Sequence, residues 1–273
     1  MHPVLFELGS VTLYTYGLFV GLGFIAALFF ATRNAAEFDL RAQYSNHKNE
    51  EPFSSDTGRQ ISDLFFVILI SAIAGARLVY VLLDPSFYIA HPLDVFKIWN
   101  GGLVFYGGFL AALGAGVIYT RKKRLNLWFT ADIMAPAVAL GHAIGRVGCF
   151  FAGCCYGKTC DLPWAVTFTN SDSLAPLDMA IHPTQLYSVL SNLLIFLILL
   201  FLQKRKKFNG MVFWSYILLY GIFRSVVEIF RGDTRGTFLV EFLSLSQGIG
   251  IIMSLLALFM LFLLYRKKKY GRN

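Results

Sequence analysis

The chain has 273 residues, of which 56% are hydrophobic and 15% charged, and its formal net charge is +8. With a mean hydropathy of +0.60 it is too apolar for a soluble domain of this length. The positive charge does not point to nucleic acid, because the basic residues sit in short clusters beside the ends of apolar runs: Arg121-Lys-Lys-Arg124, Lys204-Arg-Lys-Lys207 and Arg266-Lys-Lys-Lys269.

In chain order, charge-free stretches that approach or exceed the roughly 20 residues needed to span a bilayer run over 8–32, 98–120, 179–203 and 242–265, with shorter ones over 64–76, 133–145 and 208–223. The shorter ones reach spanning length once extended past the arginines that end them. The expectation is an all-α polytopic membrane protein with seven transmembrane helices at about 14–32, 62–83, 103–120, 128–146, 183–202, 211–230 and 240–265. With the N-terminus outside and the C-terminus inside, the inner segments carry 17 Lys/Arg and the outer ones 5. That split obeys the positive-inside rule, and the reverse orientation violates it. Residues 1–13 lack a basic region and no small-residue cleavage site follows, so the first helix is expected to stay as an anchor. No second domain or internal repeat is evident, giving a single membrane domain over 1–273 with a head insertion at about 147–182.

Along this frame, Tyr14 and Tyr16 mark the outer end of the first helix. Residues 33–62 read as a polar cytoplasmic connection. In the second helix Arg77 follows Gly75-Ala76. An arginine at membrane depth faces a polar interior or a phosphate, or snorkels to the headgroups. The outer segment 84–102, with Pro85, Pro92, Trp99 and Asn100, suits an interfacial arm containing one short amphipathic turn. It leads into Asn100-Gly-Gly-Leu-Val-Phe-Tyr-Gly-Gly108. Glycines around Tyr106 let a ligand approach the backbone, or Gly107 and Gly108 simply allow close helix packing.

The fourth helix places Asp132 near its inner end, and His142 and Arg146 four apart on one face. It runs into Gly145-Arg-Val-Gly-Cys-Phe-Phe-Ala-Gly-Cys-Cys-Tyr-Gly157, which opens the 146–182 outer segment. All four cysteines, Cys149, Cys154, Cys155 and Cys160, fall there. Their C-x4-C-C-x4-C spacing is not a zinc pattern, so the candidate list holds no metal ligands. Disulfide or packed thiols, redox chemistry and metal binding remain the readings of these residues. Gly, Pro and Cys content suggests a compact head of loops and short strands. The head closes with His182-Pro-Thr-Gln-Leu-Tyr187, where Pro183 suits the first helical position and Gln185 and Tyr187 stand at the outer end. The sixth helix carries Tyr220, Arg224, Glu228 and Arg231, spaced four, four and three on one face. Glu228 can pair with either arginine.

Arg146, Arg224 and Arg231, with Arg77 as a fourth candidate, thus gather at the outer half of the membrane beside Tyr16, Tyr106, Tyr187, Tyr220, His182, Gln185 and Glu228. Clustered guanidiniums at headgroup depth suit an anionic phosphate, which accepts their forked donors. No zincin, nucleophile-elbow or Walker motif occurs, and no cofactor is expected. A carrier would place its polar residues at mid-depth.

Four blocks, Gly145-Arg-Val-Gly-Cys-Phe, Asn100-Gly-Gly-Leu-Val-Phe-Tyr-Gly-Gly, His182-Pro-Thr-Gln-Leu-Tyr and Tyr220-Gly-Ile-Phe-Arg-Ser-Val-Val-Glu-Ile-Phe-Arg, resemble the signatures of the bacterial prolipoprotein diacylglyceryl transferases. They span nearly the whole chain in family order. The resemblance implies a multi-pass enzyme of the bacterial cytoplasmic membrane. It would transfer the diacylglyceryl group of phosphatidylglycerol to the lipobox cysteine of a prolipoprotein, with membrane lipid as its surroundings and no nucleic acid as partner. It places the phosphate-binding arginines at Arg146 and Arg224, the first-helix tyrosine at Tyr16 and the sixth-helix polar partners at Tyr220, Glu228 and Arg231; the candidate catalytic residues are Arg146, Arg224, Tyr106 and Glu228. Substrate binding falls to Arg146, Tyr16, Arg77, Gly107, Gly108, His182, Gln185, Tyr220 and Arg231. Two departures stand out. Tyr106 replaces the histidine of many members, and with a pKa near 10 it is expected to orient rather than to act as base. Cys149, Ala152 and Cys154 occupy places where the family signature has asparagines and an acid. A membrane thiol oxidoreductase and a non-catalytic phospholipid-binding or transport protein are the competing readings.

Overall fold

The structure is a computed structural model and describes residues 2–8, 11–44, 57–98, 101–233 and 244–271. An N-terminal hairpin pairs β1 (Val4–Leu8) with β2 (Val11–Tyr14). Eight helices follow among the described residues: α1 (Thr15–Tyr44), α2 (Thr57–Leu83), α3 (Pro85–Ala90), α4 (Phe105–Lys122), α5 (Leu127–Ala152), α6 (Thr184–Lys204), α7 (Met211–Ile229) and α8 (Leu245–Tyr270), with a 3-10 turn over Pro92–Phe96 after α3. Two-residue strands β3 (Val166–Thr167) and β4 (Ala180–Ile181) pair between α5 and α6. Six helices, α1, α2, α5, α6, α7 and α8, are long and apolar enough to cross a membrane. The remaining expected span, α4, forms over 18 residues, and its last turn already carries Arg121 and Lys122.

The chain falls into two compact units, 1–30 with 131–273, and 31–130. In the second unit α2 and α4 touch backbone to backbone. A Cβ on Gly107 would stand 2.5 Å from the Gly75 carbonyl oxygen, and one on Gly108 would stand 2.8 Å from that of Ala72. Lipid-embedded helices associate through such small-residue contacts, because burial of apolar surface supplies no drive there. Arg77 is 7% exposed and clasps the arm that precedes α4. Its Nε donates to the Val95 carbonyl (2.9 Å), one terminal nitrogen to Asp94 (2.6 Å) and the other to Gly101 and Gly102 (2.9 and 3.2 Å). Its guanidinium also lies over the rings of Tyr80 and Tyr88. Gly101 and Gly102 have φ of +83° and +76°, the left-handed turn that presents both carbonyls to one side chain.

In the first unit, Thr15 ties the hairpin to α1. Its N–H bonds the Pro3 carbonyl at 2.9 Å and its hydroxyl that of His2 at 2.6 Å. Glycines again set the approach of α1 to α5, where a Cβ on Gly23 would lie 2.7 Å from the Gly141 oxygen, and of α7 to α8, where one on Gly221 would lie 2.7 Å from the Gly250 oxygen. Ala135, Ala139, Ile195, Leu199 and Val212 form a buried core between α5, α6 and α7. The start of α7 lacks a side-chain cap, because its N-cap is Gly210. Asp132 from α5 takes that role, accepting the N–H groups of Gly210 (2.8 Å) and Phe213 (2.9 Å), with the Lys206 ammonium at 3.3 Å. A carboxylate at a helix N-terminus meets both its orphan donors and its dipole.

The segment between α5 and α6 has the loops and short strands expected of a head. Phe168, Ala175 and Ile181 make a small core with Phe150, Tyr156 and Val166. It begins later than expected, because α5 continues to Ala152, which puts Cys149 on the helix. Helix α1 likewise runs on through Tyr44 into the stretch read as a polar connection. Residues 33–44 are polar, but Ala, Glu, Leu, Arg and Gln there all favour helix. Helix α6 starts at Thr184 with Pro183 as its cap, one residue from the expectation. Residues 45–56, Trp99, Asn100 and 234–243 lie outside the described residues.

Candidate active site

The first unit assembles a polar site from α5, α6, α7 and the turn after α5. Arg146 is its centre. Its Nε donates to His142 Nε2 at 3.2 Å, and a terminal nitrogen to Cys155 Sγ at 3.6 Å. The four-residue spacing on α5 therefore serves a second purpose, with His142 fixing the plane of the guanidinium. The His142 ring lies 5.3 Å from that of Tyr220. A cavity is lined by His142 and Arg146 of α5, Ser188, Ser191 and Asn192 of α6, and Tyr220, Phe223 and Arg224 of α7. Of the four arginines named from sequence, Arg146 and Arg224 thus border one space.

Arg224 is held from the far side. One terminal nitrogen meets Glu228 at 2.5 Å and the other donates to Ser246 at 3.1 Å. Glu228, 8% exposed, also lies 3.6 Å from Arg231 and accepts from Ser244 at 3.2 Å. Ser244 in turn caps α8 in a capping box with Gln247. The expected four-residue face is shortened, because α7 ends at Ile229 and Arg231 lies beyond it, but Glu228 still pairs with both arginines in one ion network. Arg231 is further engaged by Asp233, which takes its Nε at 2.8 Å and a terminal nitrogen at 2.5 Å. Burial pulls the Arg231 guanidinium down, but its hydrogen bond to Asp233 and its neighbour Cys155 outweigh this and hold its pKa above the usual arginine value.

The head is fastened to this network. Lys158 and Gly232 exchange backbone bonds with Phe230 and Tyr156, at 2.8 and 3.1 Å, so the strand after the cysteines pairs with the end of α7. At the start of α6, the Thr184 hydroxyl donates to the Cys155 carbonyl at 2.7 Å and the Gln185 amide to that of Cys154 at 2.9 Å. His182 Nδ1 lies 3.1 Å from the Tyr187 hydroxyl, which also accepts from the Trp164 indole at 2.8 Å. The His-Pro-Thr-Gln-Leu-Tyr block is thus the clasp of the cysteine turn. The four cysteines are in thiol form. Hydrogen bonds from the Cys149 and Cys154 thiols, then Arg231, press the Cys155 thiol well below the ordinary range, and its partner Cys154 is pushed up.

The backbone of Tyr16, 46% exposed on α1, is brought close to α5 at Gly148, where an added Cβ would stand 3.1 Å from the Tyr16 backbone carbonyl oxygen. It lies within electrostatic reach of Arg146. Arg77, Tyr106, Gly107 and Gly108 belong to the second unit. There Arg77 is spent on carbonyls, the glycines pack α4 on α2, and Tyr106 at the start of α4 is 63% exposed. Sequence reasoning missed Ser188, Ser191 and Asn192 as cavity residues. Their signal was a polar run in an apolar helix, four, seven and eight positions after Thr184. It also left Asp233, Ser244 and Ser246 unconsidered.

An apolar multi-helix chain that buries a set of arginines, a glutamate and tyrosines at one end of its helices is a polytopic membrane protein with a site for an anionic group. Residues 3–263 match the family model described as prolipoprotein diacylglyceryl transferase. Relatives named phosphatidylglycerol–prolipoprotein diacylglyceryl transferase include one from Geobacter sulfurreducens, 38% identical over 98% of this chain and 97% of its own length. Another, from Clostridium tetani, is 35% identical over 95% and 96%, and a third, from Dechloromonas aromatica, 34% identical over 97% and 96%. The chain belongs to the prolipoprotein diacylglyceryl transferase family.

Proposed function

We infer that this chain is a multi-pass enzyme of the bacterial cytoplasmic membrane that transfers diacylglycerol from phosphatidylglycerol to the lipobox cysteine of a prolipoprotein. The sulfur forms a thioether to the glyceryl CH2 carbon, the carbon–oxygen bond to phosphate breaks, glycerol phosphate leaves and the thiol releases its proton. The reading has seven crossings, N-terminus outside, in one membrane domain with residues 147–182 as its outer head. The Lys/Arg asymmetry of the segments supports it.

The observation that carries this function is that Arg146 and Arg224 border one cavity, each already fixed from behind. Negative charge grows on the phosphate as the bond to carbon breaks, and donors aimed there before reaction stabilise that charge without reorganising. Arg146 has five N–H donors. His142 and Cys155 use two, which leaves a fork for phosphate. Glu228 and Ser246 orient Arg224 in the same way, so Glu228 acts as a positioning residue. Arg231 completes the buried charge balance. Tyr220, Ser191 and Asn192 offer hydrogen bonds to the headgroup glycerol, and Tyr16 borders the approach. Tyr106 orients substrate, and His182 and Gln185 hold the head. The attacking thiol belongs to the substrate; with an unperturbed pKa of about 8.5 it gains thiolate character in the arginine field.

Complementation tests this reading. A strain depleted of its own transferase grows when given this chain, and not when given Arg146→Ala. Rescue by Arg146→Ala equal to that by the unaltered chain removes Arg146 from the mechanism.

A further inference from the structure

We propose that Cys149, Cys154 and Cys155 form a binding site for one thiophilic d10 metal ion of the Zn2+ or Cu+ class. The three sulfur atoms lie within 4.8 Å of one another. Around a metal with bonds of about 2.3 Å, sulfurs in trigonal or tetrahedral array stand about 3.8–4.0 Å apart. Small side-chain rotations therefore bring the three thiols into ligating positions.

The backbone is built to hold them there. Cys149 projects from the last turn of α5, and the chain then reverses through Gly153 (φ +75°) and Cys155 (φ +63°). No other residue type suits position 153, because a Cβ would fall 2.1 Å from Ser173 Oγ and 2.9 Å from the Ala175 nitrogen. A left-handed conformation at Cys155 costs free energy and persists only where its surroundings impose it. Thr184 and Gln185, each 1% exposed, impose it by gripping the carbonyls of Cys155 and Cys154. A turn that merely linked α5 to the head would not need to point three sulfurs inward.

Charge also favours the site. Three thiolates on a divalent ion leave one net negative charge, and on a monovalent ion two. Arg146 hydrogen-bonds Cys155 at 3.6 Å, and Arg231 lies within electrostatic reach of it, so both guanidiniums offset that charge. On coordination the thiol protons pass to solvent as the metal takes their place. Cys160 stands apart, its backbone N–H bonded to the Ala180 carbonyl in the head, and is not a ligand. The C-x4-C-C spacing fails every linear zinc pattern because the left-handed turn, not the sequence interval, brings the sulfurs together.

The test uses the full chain, purified reduced and metal-free in lipid nanodiscs, with Cd2+ alone as probe. Expected are a thiolate-to-cadmium ultraviolet band that saturates at one ion per chain, and about 100-fold weaker binding in Cys149→Ser, Cys154→Ser and Cys155→Ser, with Cys160→Ser unchanged. Because a serine variant can fail to fold, maleimide labelling of the unaltered chain is read by mass spectrometry with and without Cd2+. Protection of Cys149, Cys154 and Cys155, with Cys160 still labelled, supports the site. No saturable band, protection of Cys160 instead, or a Cys149–Cys154 or Cys154–Cys155 disulfide that persists after reduction overturns it.

Discussion

Replacing Arg146 by lysine keeps the charge and removes the fork, and so isolates what geometry contributes. In the structure Arg146 spends its Nε on His142 and one terminal hydrogen on Cys155, at 3.2 and 3.6 Å. Three donors remain, enough for two parallel bonds to phosphate oxygens. A lysine ammonium is a point charge on a flexible stem. It can meet one phosphate oxygen, but not while also anchoring to His142 and Cys155. The loss is therefore one charge-assisted hydrogen bond, worth about 1.5–3 kcal/mol, plus part of the orientation. About 2.7 kcal/mol corresponds to roughly a hundredfold slower transfer. Arg146→Ala, which removes the charge as well, should cost about a thousandfold or more. The assay is the initial rate of lipobox-peptide modification in nanodiscs at several phosphatidylglycerol contents. Because the lost interaction strengthens as charge builds on the leaving phosphate, the defect falls mainly on kcat. An Arg146→Lys rate within about threefold of the unaltered chain, or full recovery at high phosphatidylglycerol, refutes the forked-phosphate argument.

Glu228→Gln retains an acceptor for Ser244 but leaves Arg224 and Arg231 short of one buried negative charge. Breaking a buried pair costs about 3–5 kcal/mol, so both thermal stability and transfer rate should fall, and a variant equal to the parent in both shows the pair to be idle. Gly107→Ala pushes a methyl against the Gly75 carbonyl and should destabilise the α2–α4 pair by about 1–3 kcal/mol. Gly114→Ala, which meets nothing within 4 Å, should be silent; equal melting temperatures for the two contradict glycine-set packing. Asp132→Ala strips the start of α7 of its cap and removes the carboxylate that meets Lys206 at 3.3 Å. Detergent-solubilised protein should lose about 3 kcal/mol or more, and an unchanged unfolding midpoint argues against the lock.

Much of the architecture was legible because hydropathy reports what a bilayer demands. The apolar run at 64–76 sits inside α2 and most of the run at 208–223 falls within α7; Tyr220, Arg224 and Glu228 were readable as one face from helical period, whereas Arg231 lies past the helix end at Ile229. Hydropathy says nothing of where a helix continues outside the lipid, which is why Arg33 to Tyr44 was read as a loop. The β1–β2 hairpin escaped because two short strands beside a spanning helix leave too brief an alternation. In the site, Arg146 and Arg224 stood out because an arginine at membrane depth is costly. Arg77 stood out for the same reason, yet backbone carbonyls of its own arm satisfy it, a partnership that no side-chain motif encodes. Asn192 and Ser191 were hidden because single small polar residues cost little in a helix that can bond its own turn. The sulfur cluster was hidden by a left-handed turn that linear spacing does not reveal.

The most direct measurement is the mass of a lipobox peptide after incubation with the purified chain and phosphatidylglycerol. A gain of one diacylglyceryl group on the cysteine sulfur, with release of glycerol phosphate and no gain with Arg146→Ala, is the predicted result. An unmodified peptide, with phosphatidylglycerol bound but intact, would make the chain a lipid-binding protein and contradict the account.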